Sequence, residues 1–505
     1  MSSIRLQATD GTFFEFDDSA PAGSGGMKEV FFSKDRRHVV GWYRKKPDAN
    51  AMERLKTITG VYRDRIFSQE GGTYWESLFC WPSHVIEAQG FVGVVMPAYQ
   101  PHFFFAHGSK NEDFLGIRGK EKEGKWFASA SHQQRHLDQR ERGSWLSYFT
   151  VCIKIARAVK RLHMAGLAHS DLSYKNVLLD PAGGNACLID LDTLVVPGKF
   201  PPDVAGTPDF IAPEVLRTMK LPNGTAGKCL PCIETDRHAL AVLVYMYLLY
   251  RHPLRGRKVH DDDPQRDEEL GMGEKALFVE HPTDPSNRPD PAPARPGVAP
   301  FGDVESIPFT VCGPLLKEVF ERAFVTGLHD PAQRPSADDM ERALVRTVDL
   351  MQPCANPGCD QKWFVFDNTT PPCCPFCGTA AAGPVPMLGF HSQRAEDGPF
   401  LPDQHRLMVY HNQYLYPWHV SRLVFPNERV TPEQRRPVGY FVFHGGQWML
   451  VNQTLTGLKD ITSAEARPVP PGSSIVLANG QKLLLSPEAG GRLAHVMMTG
   501  FPPAA

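Results

Sequence analysis

Two short stretches of the sequence carry side chains suited to metal-assisted chemistry. Asp171 and Asn176 lie in AHSDLSYKNVLLD, and Asp190 follows in ACLIDLDTL. One tight loop would present Asp171 and Asn176 together, and the end of a neighbouring strand would supply Asp190. Phosphoryl transfer needs a carboxylate at the attacking hydroxyl and oxygen ligands for Mg²⁺ bridging the phosphates. This chemistry gives the spacing a physical reason.

These stretches resemble the catalytic loop of the protein kinase family. That loop has His-x-Asp, an Asn five residues after the Asp, a short apolar strand and a metal-binding Asp. Here the matching residues are His169, Asp171, Asn176 and Asp190. The resemblance implies that Asp171 is the catalytic base, Asn176 a metal ligand and Asp190 the main metal ligand.

Further family motifs follow in the family's order. They are GTPDFIAPE with Thr207 and Glu214 at its ends, Asp236 before a buried helix, and Arg334 in DPAQRPS. In the family, this Arg pairs with the Glu of Ala-Pro-Glu. Such an ordered set argues strongly against an incidental Asp- and Asn-rich turn. Thr207 favours Ser or Thr over Tyr as the phosphate acceptor.

The sequence departs from the family pattern at several positions. Asp192 replaces the glycine of Asp-Phe-Gly, where it either holds another cation or caps the loop, and we favour the cap. Ser170 replaces the Arg before the catalytic Asp, and the loop from Thr193 to Gly206 is short. Both features argue against switching by loop phosphorylation. Lys175 either steadies the transferring phosphate, as an Arg does in tyrosine kinases, or is a solvated surface lysine.

The glycine-rich run GSGGMKEV resembles the family's nucleotide loop, Gly-x-Gly-x-x-Gly-x-Val. Gly23, Gly25 and Val30 match the pattern, and Lys28 replaces the third glycine. A glycine-rich run alone is weak evidence for nucleotide binding, and the strands expected after it strengthen the case.

The third strand of the family carries a lysine that holds the α and β phosphates. The matching strand here, HVVGWYRKK, has Gly41 or Trp42 at that position. The with-no-lysine kinases also lack this lysine and carry one at the third-glycine position, so the resemblance implies that Lys28 replaces it. Lys45 is the alternative if the strand register is shifted, and we favour Lys28.

Two further segments are expected to border the nucleotide. Glu53, in the helical segment DANAMERLKTITGVYRDRI, is our candidate for the carboxylate that orients the lysine; otherwise it is an exposed helix charge. In FVGVVMPAY, Met96 resembles the residue that gates the adenine pocket. The hinge would then run from Pro97 to Tyr99 and include Ala98.

A second cluster consists of cysteines. Cys354 and Cys359 form one pair, and Cys374 and Cys377 form another, with Cys373 as an alternative to Cys374. Two such pairs at this spacing predict a tetrahedral Cys₄ zinc ribbon with a structural role, because four thiolates leave no open coordination position.

The pattern of elements predicts an α+β chain. Residues 1–351 form a bilobal protein-kinase-like domain, with an N-lobe at 1–100 and a C-lobe at 101–351. A zinc ribbon (352–383) and an all-β sandwich (384–505) follow. The sandwich vaguely resembles forkhead-associated domains, which bind phosphothreonine. Ser421 and Arg422 are present but the fuller motif is not, so we favour a packing or protein-contact role.

Composition limits the possible partners. The 505 residues carry a net charge of −2, which provides no general field for nucleic acid or membrane. No secretory leader opens the chain, and the eleven cysteines indicate a reducing compartment, so we expect a cytoplasmic protein. The apolar run ALAVLVYMYLLY is too short for a membrane span and predicts a buried helix.

The architecture resembles bacterial kinases encoded with tellurite-resistance and stress genes. Those kinases travel with a von Willebrand A-type protein and a phosphatase, which the analogy suggests as partners. We expect an ATP- and Mg²⁺-dependent Ser/Thr kinase acting on a protein substrate. The missing third-strand lysine keeps two alternatives open: a nucleotide-binding pseudokinase scaffold, and a platform whose working parts are the zinc ribbon and sandwich.

Overall fold

The computed structural model describes residues 3–17, 21, 23–24, 27–68, 72–201, 206–291, 299–367, 372–381, 383–395 and 398–499. The chain divides into two compact units. Unit 1 comprises Met1–Gly143, Ser147–Phe309 and Glu318–Glu341, and unit 2 comprises Ser144–Leu146, Thr310–Lys317 and Arg342–Ala505.

The elements of the first 350 residues are strands near the N-terminus followed mainly by helices. The strands are β1 (Ser3–Gln7), β2 (Phe13–Asp17), β3 (Gly23–Ser24), β4 (Lys28–Phe32), β5 (His38–Tyr43), β6 (His84–Ala88), β7 (Phe91–Pro97), β8 (Val177–Asp180) and β9 (Asn185–Leu188). The helices are α1 (Ala49–Thr57), α2 (Arg63–Phe67), α3 (Gly72–Leu78), α4 (Lys110–Asp113), α5 (Ala130–His136), α6 (Trp145–Met164), α7 (Pro213–Thr218), α8 (Ile233–Leu249), α9 (Pro264–Met272), α10 (Pro314–Glu321) and α11 (Ala337–Val348).

A five-stranded antiparallel sheet forms the N-terminal part of unit 1, in the order β3-β4-β5-β7-β6. Its register pairs Lys28 with Tyr43 and Val39 with Met96. The Asp48 side chain caps α1 by accepting the Ala51 N–H. A π-helical turn then continues α1 into α2, and Leu55 packs against the apolar side chains of the sheet. This packing holds the helix against the sheet.

The helical part of unit 1 is organised around α8. Its sequence is apolar on all sides, and nearly every residue is buried, as predicted for a core helix. The side chain of Arg334, completely buried, forms a two-pronged ion pair with Glu214 at the start of α7, both N–O distances being 2.8 Å. Arg334 also donates to the Gly327 and Leu328 carbonyls. The pair therefore connects the start of α7 to the segment before α11.

Unit 2 contains a small hairpin, two larger sheets and a short helix, together with the beginning of α10 and the end of α11. Its elements are β10 (Met351–Pro353), β11 (Trp363–Val365), β12 (Pro386–Gln393), β13 (Phe400–Met408), β14 (Tyr414–Leu415), α12 (Pro417–Val420), β15 (Gly439–His444), β16 (Gln447–Asn452), β17 (Lys459–Asp460), β18 (Arg467–Pro468), β19 (Ser474–Val476), β20 (Lys482–Leu484) and β21 (Arg492–Met498). One sheet has the order β13-β12-β21-β20-β17-β18 and the other β14-β15-β16-β19. Side chains of both sheets, such as Phe390 and Phe441, share one apolar core.

Side-chain contacts cap the starts of two helices of unit 1. At α11, the Ser336 hydroxyl accepts the Asp339 N–H and the Asp339 carboxylate accepts the Ser336 N–H. At α9, the Asp263 side chain is the cap. Among the described residues, no helix combines the length and apolarity required to cross a bilayer.

The buried ion pair generates a prediction about stability. Glu214→Ala should lower the free energy of unfolding of unit 1 by about 3 kcal/mol, because it leaves the buried Arg334 charge without its anion. Urea unfolding followed by hydrogen exchange in α8 measures the change. Glu15→Ala, which removes an exposed ion pair with Lys34, is the control and should cost less than about 1 kcal/mol. Equal effects of the two variants would contradict the role assigned to the buried pair.

Candidate active site and cysteine cluster

The loop before β8 is held by a buried carboxylate from α8. The backbone N–H groups of His169 and Ser170 donate to the two Asp236 oxygens at 2.6 and 3.1 Å. The His169 ring lies 3.0 Å from the Ile189 carbonyl, which links this loop to the end of β9. Ser170 has a φ of +68°, a conformation that few non-glycine residues adopt. The loop shape therefore depends on Asp236 rather than on local preference alone.

Asp171 and Asn176 are in direct contact, as the sequence predicts. The Asn176 amide donates to the Asp171 carbonyl at 2.8 Å and to its carboxylate Oδ2 at 2.9 Å. The Thr207 hydroxyl donates to the other carboxylate oxygen at 2.8 Å. Each carboxylate oxygen can accept more than one hydrogen bond, so a further hydroxyl can still approach Asp171. Lys175 is exposed, and its backbone N–H donates to Ser173.

Asp190 lies beside this loop, just after β9. The Ile189 N–H donates to the Asn176 carbonyl at 3.1 Å, which brings the two segments together. The Asp190 side chain is 43% exposed. Burial and the nearby Asp192 charge raise its pKa, and the ammonium of Lys28 opposes them. One accessible carboxylate with a neighbouring amide oxygen is a donor set that fits Mg²⁺.

Lys28 projects from β4 toward the same carboxylates. Its ammonium lies 2.7 Å from both oxygens of Asp192 and 3.4 Å from Asp190 Oδ1. The Tyr43 hydroxyl donates to Asp192 Oδ2. Burial alone would lower the pKa of Lys28, but the charges of the two carboxylates outweigh it, and the pKa is raised. Lys28 is therefore a cation held at the edge of the candidate Mg²⁺ site.

At Gly41, one of the two candidate positions of the missing third-strand lysine, the space beside the backbone is occupied by the stem of Lys28. A Cβ built on Gly41 would lie 3.3 Å from Lys28 Cδ and 3.4 Å from Met96 Cε. A longer side chain at this position would thus occupy the path that Lys28 takes from the adjacent strand. Lys45, the alternative, lies in an exposed bend after β5.

Glu53 does not reach Lys28 in this structure. It is 61% exposed and pairs with Lys199, which is itself 55% exposed. The buried charged residue of this turn is Arg54, whose guanidinium donates to the Pro201 carbonyl. Asp192 contacts Lys28 more closely than Asp190 does; the sequence leaves a cation-holding role and a loop cap open for Asp192 and favours the cap. Tyr43 was missed altogether, although the register of its strand could have indicated it.

The predicted hinge follows β7. Met96 and Tyr99 pack against an apolar cluster of buried residues formed by Cys80, Phe103, Leu178 and Cys187. The Ala98 N–H donates to the Arg37 carbonyl at 2.9 Å, so Ala98 can offer a ligand only its carbonyl. Gly23 pairs with Val30 at the start of the sheet, and Gly25 lies outside the described residues.

Comparison with known proteins finds similarity over part of this chain. Residues 127–310 match the family described as protein kinase domain. This segment, which is less than half of the chain, is therefore similar to protein kinase domains. It is 34% identical over 108 residues to the serine/threonine-protein kinase mrck-1 of Caenorhabditis elegans, covering 21% of this chain and 6% of that kinase. It is 32% identical over 142 residues to the serine/threonine-protein kinase PknD of Chlamydia felis, covering 24% of this chain and 14% of that kinase.

These matches span only a small part of the relatives' length. A solved structure of ROP2 from Toxoplasma gondii, described as a virulence factor with a protein-kinase fold and no enzymatic activity, aligns with 67% of this chain and 81% of its own at 14% identity and a TM-score of 0.40. That TM-score is too low to bear on activity. The family match includes Asp171, Asn176 and Asp190 but begins after Lys28.

The cysteine cluster lies outside the kinase match, in unit 2. Cys354 follows β10, and the β10–β11 hairpin brings Cys359 back toward it. The Sγ atoms of Cys354 and Cys377 are 3.5 Å apart, those of Cys359 and Cys374 are 3.9 Å apart, and all four lie within 4.8 Å of one another. A tetrahedral zinc with Zn–S bonds of about 2.3 Å needs S–S separations of about 3.8 Å, so the cluster fits the ion.

Cys373 takes no part in this cluster. Its Sγ donates to the Gly378 carbonyl, whereas the neighbouring Cys374 is completely buried. Burial alone would raise the pKa of the Cys377 thiol, but hydrogen bonds with Thr379, Cys354 and Cys374 lower it to about 6. The choice between adjacent cysteines, open in the sequence, therefore favours Cys374.

We expect the purified protein to contain about one zinc per chain, because the four sulfur atoms are already arranged to bind one. Cys374→Ser should lose the metal and increase hydrogen exchange between Cys354 and Cys377, since metal binding and local folding are coupled. Cys373→Ser is the matched control and should retain it. Elemental analysis measures the content; zinc-free wild-type protein prepared without chelator, or zinc loss from Cys373→Ser alone, would contradict this assignment.

Proposed function

We propose that this chain is an ATP- and Mg²⁺-dependent kinase that phosphorylates Ser or Thr residues of a protein substrate. The observation that carries the proposal is the assembly of Asp171, Asn176 and Asp190 around one pair of loops, with the Lys28 ammonium 3.4 Å from Asp190. These are the charges that phosphoryl transfer requires. The match of residues 127–310 to the protein kinase domain supports the same conclusion.

In this proposal, Asp171 orients the acceptor hydroxyl and takes up its proton. Two neighbours hold its carboxylate, the Asn176 amide and the Thr207 hydroxyl. These contacts fix the direction of the carboxylate, and correct orientation of a reacting group contributes substantially to rate. The contact with Thr207 is consistent with a hydroxyl acceptor on Ser or Thr.

Asp190 and the Asn176 amide oxygen would hold Mg²⁺, which would neutralise charge on the phosphates. Lys28 would contact the phosphates from β4, in place of a third-strand lysine. Lys175 would lie near the transferring group from the loop surface. Met96 and the carbonyl of Ala98 would border the adenine. Gly23 and Gly25 would belong to the loop that covers the phosphates.

A pseudokinase scaffold is the second candidate function. The replacement of the third-strand lysine by Gly41 and of the Asp-Phe-Gly glycine by Asp192 favours it. The retained carboxylates favour the active enzyme, because a site that only binds nucleotide does not need a base beside the acceptor.

We further propose that unit 2 is a structural zinc ribbon followed by a two-sheet β-sandwich that contacts protein partners. A forkhead-associated-like role has less support, because the Ser421 hydroxyl donates to the Gly490 carbonyl and accepts the Leu423 N–H. The resemblance to stress-gene kinases suggests a bacterial stress-signalling system and a von Willebrand A-type substrate with a cognate phosphatase. This part of the proposal rests on analogy alone.

Asp171→Asn tests the catalytic assignment. Transfer of labelled γ-phosphate to generic acceptor proteins, or to the kinase itself, should fall by about 100-fold or more because the base is lost. ATP affinity, measured by calorimetry, should change little. Asp263→Asn, at the exposed N-cap of α9, is a matched control because Asn also caps helices well. Wild-type turnover in Asp171→Asn would refute the assignment, and ATP binding without turnover by the wild-type chain would establish the pseudokinase.

A further inference from the structure

The carboxylate of Asp192 is buried in unit 1, and both of its oxygens accept hydrogen bonds. Its side chain is 0% exposed, and both of its oxygens lie 2.7 Å from the Lys28 ammonium. Oδ2 also accepts the Tyr43 hydroxyl. Charge-assisted contacts of this kind are the strongest that a protein makes to an ammonium group. Asp192 is thus the principal anion that Lys28 contacts.

The two strands on either side position these groups. Lys28 on β4 and Tyr43 on β5 are directly paired across the sheet, so their side chains emerge on the same face. Gly41, two residues before Tyr43, leaves the space through which the Lys28 stem passes. The ring of Tyr43 lies beside the lysine, 5.3 Å from the ammonium to its centroid. The sheet therefore directs one cation and one hydroxyl toward Asp192.

The helix that follows β5 presents no carboxylate at this point. Arg54 is the charged residue that α1 buries, and its positive charge opposes the rise in the pKa of Tyr43 that burial and Asp192 cause. The adjacent Glu53 points to the surface and pairs with Lys199. A lysine-orienting anion must then come from another element, and the segment after β9 provides it.

We propose that Asp192 is the positioning residue for Lys28, holding its ammonium beside Asp190, and that the Tyr43 hydroxyl fixes the Asp192 carboxylate. The purpose of this contact rests on the proposed kinase function, whereas the contact between Asp192 and Lys28 does not depend on that function. Asp190, at 43% exposure, keeps the accessible carboxylate for a metal, whereas Asp192 is committed to the protein's own cation. The two acids of Asp-Leu-Asp thus divide between metal and lysine.

The first experiment needs no nucleotide and no activity. The protein is treated with sulfo-N-hydroxysuccinimide acetate, and the acetylation rate of each lysine is followed by mass spectrometry. Lys28 should react slowly in the wild type, because it is buried and paired. In Asp192→Asn, it should react about tenfold faster or more, since a neutral amide holds an ammonium much less strongly than a carboxylate does. Lys45, exposed beyond β5, is the internal control and should not change.

A second variant guards against misfolding. Tyr43→Phe removes only the hydroxyl and should raise the Lys28 labelling rate by a few fold, because Asp192 loses one of its anchors. Glu87→Gln, which disrupts an exposed pair with Lys56, should leave the Lys28 rate unchanged. Lys28 labelling at the wild-type rate in a folded Asp192→Asn protein would overturn the proposal. Lys28 labelling at the wild-type rate in Tyr43→Phe would overturn the role assigned to the Tyr43 hydroxyl.

A double-mutant cycle connects the geometry to function. If Asp192 acts through Lys28, then Asp192→Asn should weaken ATP binding and slow turnover in the wild type but add little in a Lys28→Met background. A purely structural role of Asp192 would give independent, additive losses and would contradict the proposal. If the wild-type chain transfers no phosphate, the kinase function fails, while the labelling experiment still decides whether Asp192 holds Lys28.

Discussion

The candidate active site depends on one buried interaction, the ion pair between Lys28 and Asp192. An ammonium removed from water is stable only when anions and hydrogen-bond acceptors replace its hydration. Both oxygens of Asp192 do so, with Asp190 at the side that faces solvent. The pair therefore connects the N-terminal sheet of unit 1 to the segment after β9 by a salt bridge. Disrupting it would leave a buried charge uncompensated, which is more costly than losing an exposed pair.

Hydrogen bonds that involve backbone groups position the other candidate residues of the site. Asp236 fixes the loop at His169 and Ser170, and Asn176 accepts from the end of β9 through its carbonyl. Asp190 has a φ of +61°, which Asp tolerates better than most residues and which turns the chain between the two acids of Asp-Leu-Asp. The contacts of Asp236 join segments that are distant in sequence. The candidate catalytic residues therefore owe their positions to tertiary contacts as well as to local geometry.

Sequence reasoning could locate the motifs of unit 1 because their order and local spacing are contained in short stretches. It also favoured Lys28 over Lys45, and the structure brings Lys28 to the acids while Lys45 lies in an exposed bend. Glu53 was the candidate partner of the lysine. A helical pattern locates the buried face of a helix only to within about one residue, so it does not distinguish Glu53 from its neighbour Arg54. The helix buries Arg54 instead. The true partner, Asp192, lies 164 residues from Lys28 along the chain, and no local pattern specifies such a pair. The cysteine cluster was easier, because its four ligands fall within one short segment.

Lys28, which projects from β4, is the cation proposed to contact the phosphates. An experimental structure of the protein with Mg²⁺ and a non-hydrolysable ATP analogue tests this role. We expect the Lys28 ammonium to lie about 3 Å from a phosphate oxygen, the distance of a charge-assisted hydrogen bond, while remaining near Asp192. Lys45 should stay in solvent. A structure in which Lys28 is far from every phosphate oxygen and Lys45 contacts one would refute this role of Lys28.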